Sequence, residues 1–468
     1  MIAVPRLGCL LLCSALALTG CGERSPPAAA PETPVVAPIP VAAPTPPQNL
    51  EAALALAQAR SAPVLIDFHA PWCYSCYYMA SHVLTGAEWT QVLQRSVVLA
   101  VDADAPEGAA LKTRYGIKAL PSYLVLDAQG QELGRILGEQ TRADFYARLD
   151  EILARGSALD ALSAEVVDAS AASIAAGREV LRAWHARYDA RGGLAWLSQL
   201  PAPARTALQA DPVAALTISR LSLLQAAQAQ DVPAVLAQGR AVLTGEAADG
   251  LGCERAYELS RVLDVAGERA EARALLTAQR APMERLLLQG VFEGAACADQ
   301  RSVVLVTADL YAALGEEAAE TALLKRAIAD AERRIGGATV EAYRRDRNLA
   351  DNLRIYRDRL SERSGDYAAF DALLPKLIAA YPDDYVYASR YGRSLLARGR
   401  AAEALPYLEQ SAAQAYGLNR LVVSQARVKA LLALERRDEA RRVVAETLKT
   451  NGPWFPEEAE KLKALLAG

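Results

Sequence analysis

The spacing of apolar positions changes along the chain, and the changes divide it. Residues 7–18, LGCLLLCSALAL, form an apolar run behind a single base, Arg6. Residues 22–47 have no apolar period and hold nine of the protein's 24 prolines. From about residue 48, helical and strand periods alternate. NLEAALALAQAR spaces its apolar residues as a helix, and Val64–Phe68 is a short apolar run that predicts a buried strand. A helical stretch follows, then VVLAVD (97–102) as a second strand and EGAALKTRY as a helix. SYLVLDAQGQELGRI predicts two strands joined by a turn at residues 127–130. TRADFYARLDEIL closes the unit as a helix with Thr141 as its N-cap. This order predicts a small central sheet flanked by helices over residues 48–155. From 156 to 468 the pattern is helical, without strand-like alternation.

Within the helical part, a repeat is clearest over 350–452. Gly365 and Gly399 sit 34 residues apart in equivalent turns, and Ala404 and Ala440 sit 36 apart. VAGERAEARALL and YAALGEEAAETALL, around Gly267 and Gly315, are degenerate versions separated by 48 residues. The segment resembles tetratricopeptide repeats, helix–turn–helix units that stack into a curved array. That resemblance implies a concave face that binds a peptide or protein. A helical scaffold without a ligand is the alternative.

Charge and composition narrow the setting. A formal net charge of −4 gives no reason to expect a nucleic-acid partner. The abundance of Ala and Leu, with five Phe, favours helix over sheet. The first apolar run is too short to span a bilayer and reads as an export signal over residues 1–20. Leu18-Thr19-Gly20-Cys21 resembles a bacterial lipobox, which implies that Cys21 is lipidated and becomes the mature N-terminus. Gly22 stands where Asp would favour inner-membrane retention, so the resemblance points to the outer membrane, with an ordinary signal peptide as the alternative. Residues 21–47 then form the lipidated cysteine and a Pro/Ala-rich extended spacer. The expected compartment is the periplasmic face of a bacterial membrane, where thiols can pair.

The chemistry concentrates in DFHAPWCYSC, where Cys73 and Cys76 follow the first strand. A redox pair, half of a metal site and a structural staple are the three readings. Zinc would need two more ligands, and no second CxxC exists among the seven cysteines. A staple closing so small a loop contributes little stability. The redox reading is therefore favoured, with no metal and no cofactor. Cys253 and Cys297 either pair with each other as a structural disulfide or remain two buried thiols; pairing is favoured.

WCxxC, followed some 45 residues later by YGIKALPSYLVLDAQGQELGRILG, resembles thioredoxin-fold domains. It is especially similar to the C-terminal periplasmic domain of the thiol–disulfide reductase DsbD. The similarity covers about residues 60–153. It implies an α/β thioredoxin fold, followed here by the all-α helical-repeat domain. Cys73, at a helix start, would be the nucleophile, because unpaired N–H groups there stabilise a thiolate. Cys76 would resolve the mixed disulfide. Asp67 would be a buried carboxylate that takes the proton from Cys76. Leu120-Pro121 matches the cis-proline loop that pairs with substrate, and Trp72 is the surface aromatic beside it. Tyr77 and Val98 stand where lysines are common in the family, which leaves few local cations to lower the Cys73 pKa. Tyr77, Tyr78 and Met79 are expected as packing.

Together these readings describe a lipid-anchored envelope thiol–disulfide oxidoreductase. It would reduce or exchange disulfides of exported proteins, draw electrons from a membrane donor, and hold its client on the helical repeats. The alternative is an interaction or assembly scaffold whose thioredoxin module is structural or a redox sensor.

Overall fold

The computed structural model describes residues 46–245 and 248–467. Cys21, the signal and all but the end of the Pro-rich spacer lie outside them. The first unit follows the predicted order. Helix α1 (Leu50–Arg60) starts where the Asn49 side chain accepts the Ala52 N–H at 2.9 Å. Strand β1 (Val64–His69) follows, then a short helix α2 (Tyr74–Tyr78) that continues as a π-helical turn over Met79–Val83. Next come α3 (Gly86–Arg95), β2 (Val97–Asp102), α4 (Pro106–Tyr115), β3 (Ser122–Leu126), β4 (Glu132–Leu137) and α5 (Arg142–Arg155). Thr141 caps α5 by accepting the Asp144 N–H.

The sheet order is β2-β1-β3-β4, with β1 parallel to β2 and the other pairs antiparallel. Strand alternation sends two apolar sets to opposite faces. Val64, Ile66, Phe68, Leu124 and Leu126 pack under α1 with Leu99 and Val101. Leu65, Tyr123 and Val125 pack on the other face with Met79, Val83 and the α5 residues Phe145, Leu149 and Ile152. Two covered faces make a thioredoxin-like α/β domain. Its β1 ends at His69, so the chain leaves the sheet just before the cysteine motif.

All regular structure described after α5 is helical, from Leu159–Ala164 to Pro456–Ala464. Gly365 and Gly399 end their helices at φ 72° and 76°, a left-handed conformation that glycine adopts without Cβ strain. From there the helices Tyr385–Ala397, Ala401–Gln414, Gly417–Ala433 and Arg437–Asn451 each pack on the next. Their apolar faces close a continuous core with Phe370, Leu408 and Leu431.

The helical region also folds back onto the α/β domain. Arg187 bonds the β4 residue Glu132 at 2.6 Å, and Arg155 and Arg148 of α5 bond Glu179 at 2.6 and 2.7 Å. At another edge, Gly417 approaches the loop after β2 so closely that a Cβ would lie 2.0 Å from the Asp104 carbonyl oxygen. The Leu418 N–H donates to that same oxygen at 3.2 Å. Helical residues more than 300 positions downstream are thereby fixed against the cysteine end of the sheet.

Candidate functional site

Cys73 is the N-cap of α2, and its Sγ accepts the Cys76 N–H at 3.1 Å. The two cysteines form a disulfide with their Cα atoms 5.3 Å apart. Cys73 is 3% exposed and Cys76 8%, in a small apolar cluster with Ala70 and Leu120. The Leu120–Pro121 bond is cis, and the Pro121 carbonyl accepts the Gly138 N–H at 2.9 Å. A thiol at a helix start is set up for thiolate formation, and the neighbouring cysteine can displace a partner bound to it.

Asp67 lies opposite Tyr123 in the sheet register, on the same face of β1 as Leu65 and thus toward α2. Its Oδ1 is buried without a hydrogen-bond partner. Burial raises its pKa to about 6, against a smaller lowering by His69. A carboxyl with that value can accept and return a proton near neutral pH.

The helical region encloses this end of the domain. The Tyr74 ring has the Arg301 guanidinium carbon 3.6 Å from its centre, and the Tyr74 carbonyl accepts the Asn348 side-chain N–H at 3.0 Å. The Tyr74 hydroxyl reaches Asp299 at 3.4 Å, and Tyr257 donates to the same carboxylate at 2.6 Å. Arg347 lies 4.0 Å from the centre of the Tyr77 ring. Tyr77 is therefore packed between the two parts of the chain, while Met79 is fully buried in the core of the first.

Trp72 remains 42% exposed but is pinned at both ends. Its indole N–H donates to Asp104, its carbonyl accepts from Arg390 at 3.2 Å, and Asp104 also accepts from Asn419 at 2.9 Å. Arg301 and Arg390 in turn share the buried carboxylate of Asp351 with Arg354. Burial alone would raise the Asp351 pKa, but the three guanidiniums outweigh it and hold the group ionised. The few cations expected locally are thus supplemented by arginines from the helical region. Nothing in the spacing of the sequence links those positions to the cysteines.

A cavity of about 330 Å³ lies between the two parts, and Cys73, Tyr74, Ser75, Leu120, Tyr257 and Arg301 contribute to its wall. Glu139, just after β4, lines it too; it is 8% exposed, and its Oε2 is buried without a partner. Sequence reasoning passed over Glu139, because a glutamate just after a strand is ordinarily solvated. Cys253 and Cys297 are joined by a second disulfide, with Cα atoms 5.6 Å apart, close to Asp299 and Tyr257.

Residues 50–153 match the family model of the thioredoxin-like domain. The thiol:disulfide interchange protein DsbD of Salmonella typhi is 37% identical over 101 residues, 21% of this chain and 18% of the relative. DsbD of Ralstonia nicotianae is 32% identical over 113 residues, 24% of this chain and 19% of the relative. The chain spans under a fifth of the length of the curated relatives it matches. Among solved structures, a thioredoxin from Thermus thermophilus is 33% identical, covering 24% of this chain and 88% of its own, with a TM-score of 0.23. The likeness is confined to the α/β domain.

Proposed function

We propose that this chain is an envelope thiol–disulfide oxidoreductase that reduces or exchanges disulfides of exported proteins through Cys73 and Cys76. The observation that carries the reading is the Cys73–Cys76 pair backed by Asp67, a buried carboxyl with a free oxygen. A purely structural module has no use for a buried acid whose pKa is raised toward neutrality. Cys73 is the nucleophile, Cys76 the resolving thiol and Asp67 its proton acceptor, while Leu120-Pro121 and Trp72 border the substrate. The likeness to DsbD supports a reductant, with a membrane protein as electron donor.

The proposed organisation is a signal at 1–20, a lipidated Cys21 with its spacer to 47, a redox domain at 48–155 and tetratricopeptide-like repeats at 156–468. Among the described residues no helix is long and apolar enough to cross a membrane. A lipid on Cys21 would then be the anchor at the periplasmic face, with the outer membrane favoured. The repeats hold the client or a partner.

A trap tests this reading. With Cys76→Ala, mixed disulfides with exported proteins accumulate on Cys73 and disappear in Cys73→Ser/Cys76→Ala. If the same partners co-purify whether or not the thiols are present, the chain is an assembly scaffold. The observation favouring that second reading is the packing of helical residues over Trp72, Tyr74 and Tyr77.

A further inference from the structure

Asp67, the acceptor for Cys76 in the reading above, is not among the residues that line the cavity beside Cys73. The cavity side has its own acid. Glu139 follows the Gly138 N–H that bonds the Pro121 carbonyl, so its backbone is tied to the cis-proline loop. Its side chain lines the same cavity as Cys73, and its Oε2 has no partner. The groups that act on it electrostatically come from four places. Ser75, Tyr74 and Tyr78 stand on α2, Tyr123 on β3, Asp299 and Arg301 at the start of the helix Gln300–Leu314, and Asp346 before the helix Arg347–Ser364.

We infer that Glu139 is a general acid for the client, protonating the sulfur that leaves when Cys73 opens the client disulfide. The assignment rests on the oxidoreductase reading above. In the first step the Cys73 thiolate attacks one client sulfur. The Cys73–client S–S bond forms, the client S–S bond breaks, and the departing sulfur takes the electron pair and the Glu139 proton. In the second step Cys76 loses its proton to Asp67 and attacks Cys73 Sγ. The enzyme disulfide forms, and the second client sulfur leaves as a thiolate that takes a proton from water. Asp67 then returns its proton to solvent and Glu139 regains one, so the client gains two electrons and two protons.

The surroundings suit an acid that must hold a proton and then release it. Burial first, and the Asp299 and Asp346 carboxylates after it, push the Glu139 pKa well above the usual carboxylate range. The Ser75 hydroxyl and Arg301 favour the charged form, so they offset part of the cost of the carboxylate left after donation. Asp67 and Glu139 then divide the two proton transfers between them.

The decisive comparison uses two disulfides whose leaving thiols differ in basicity, because a poor leaving thiolate needs an acid and a good one does not. In the full chain, Glu139→Gln should slow reduction of oxidised glutathione by about 100-fold, the lower end for general acid catalysis. Reduction of an aromatic nitrobenzoate disulfide should change little. The ratio of the two rates should fall with rising pH in the wild type and stay flat in the variant; taking the ratio cancels the ionisation of Cys73. Equal slowing of both substrates, or of neither, overturns the assignment. If Glu139→Gln does not fold, Glu139→Asp keeps the acid and should show a smaller but still selective loss; an unselective one again overturns it. A wild-type chain that exchanges with neither disulfide overturns the oxidoreductase reading itself, whereas wild-type exchange with an unselective variant overturns only the role of Glu139.

Discussion

Arg301 holds Tyr74 from across the domain boundary, its guanidinium carbon 3.6 Å from the centre of a ring that lies between the two cysteines in sequence. Arg301 is itself held at 2.6 Å by Asp351, which also binds Arg354 at 2.8 Å. A desolvated cation–π contact contributes about 2 kcal/mol. If a bulky client reaches Cys73 only when this contact opens, Arg301→Ala raises the open population roughly thirty-fold, since each 1.36 kcal/mol is a factor of ten. We expect faster reduction of a folded disulfide protein, with little change for a small aromatic disulfide, whose leaving thiolate needs no acid. Stopped-flow rates on the two substrates check this. Equal effects on both would show that access does not require the helices to part.

Asp67 carries a measurable cost in stability. Its pKa is about 6 in the folded chain against 3.8 for the free side chain. Above pH 6 the folded state holds an unfavourable buried charge that the unfolded state does not. Below about pH 3 both states are protonated and the penalty fades. Asp67→Asn should therefore stabilise the oxidised protein by up to roughly 3 kcal/mol at pH 8, at 1.36 kcal/mol per unit, and by almost nothing at about pH 3. Urea melts at the two pH values measure it. The same variant should slow release of a trapped client, because Cys76 loses its proton acceptor.

How much of this was legible follows from the range of the interactions. β1, β2, the β3–β4 hairpin and the cap at Thr141 are local features, written in alternation, turn residues and a hydroxyl three residues before Asp144. The cysteine pair was legible for the same reason. The enclosure of the motif was not, because Tyr74, Arg301, Asp351 and Arg390 meet only after chain segments hundreds of residues apart have docked. Trp72 illustrates the limit. Its place before Cys73 marks a surface aromatic, but Asp104 and Arg390, which fix it, have no sequence relation to it. Glu139 was hidden differently, since a glutamate after a strand is usually solvated and only the packing of the Asp299 region over it makes it a buried acid.

The second disulfide supports the wall of the cavity. Cys253 and Cys297 close a span of 44 residues beside Asp299 and Tyr257. In the chain-entropy account, a loop of that length stabilises by roughly 4 kcal/mol. Cys253→Ser/Cys297→Ser should lose most of this in a denaturant melt. It should also weaken the hold on Tyr74, because Asp299, which accepts from Ser302 and Tyr257, sits two residues after Cys297. Hydrogen exchange would show faster opening over residues 296–302 and in α2, while the far sheet edge at β2 stays protected. Unchanged exchange in α2 would separate this disulfide from the cysteine motif.

His82 makes the contact between the two parts of the chain depend on pH. It sits on the π-helical turn after α2, stacks on Tyr78 with ring centres 4.8 Å apart, and places Nε2 3.5 Å from the Asp346 carboxylate. The interaction with Asp346 is the main cause raising its pKa above 6.5, against partial burial. A histidine raised in the folded state contributes its full stabilisation below the unfolded value. That contribution is lost as pH climbs through the raised one. The side chain is 43% exposed, so solvent and salt weaken the pair. Comparing melting temperatures of wild type and His82→Gln should show the largest gap near about pH 6, shrinking to the constant remainder left by stacking above about pH 8 and in high salt. A gap that is constant across this range would mean that His82 acts through its stacking on Tyr78 alone, and that Asp346 does not read its charge.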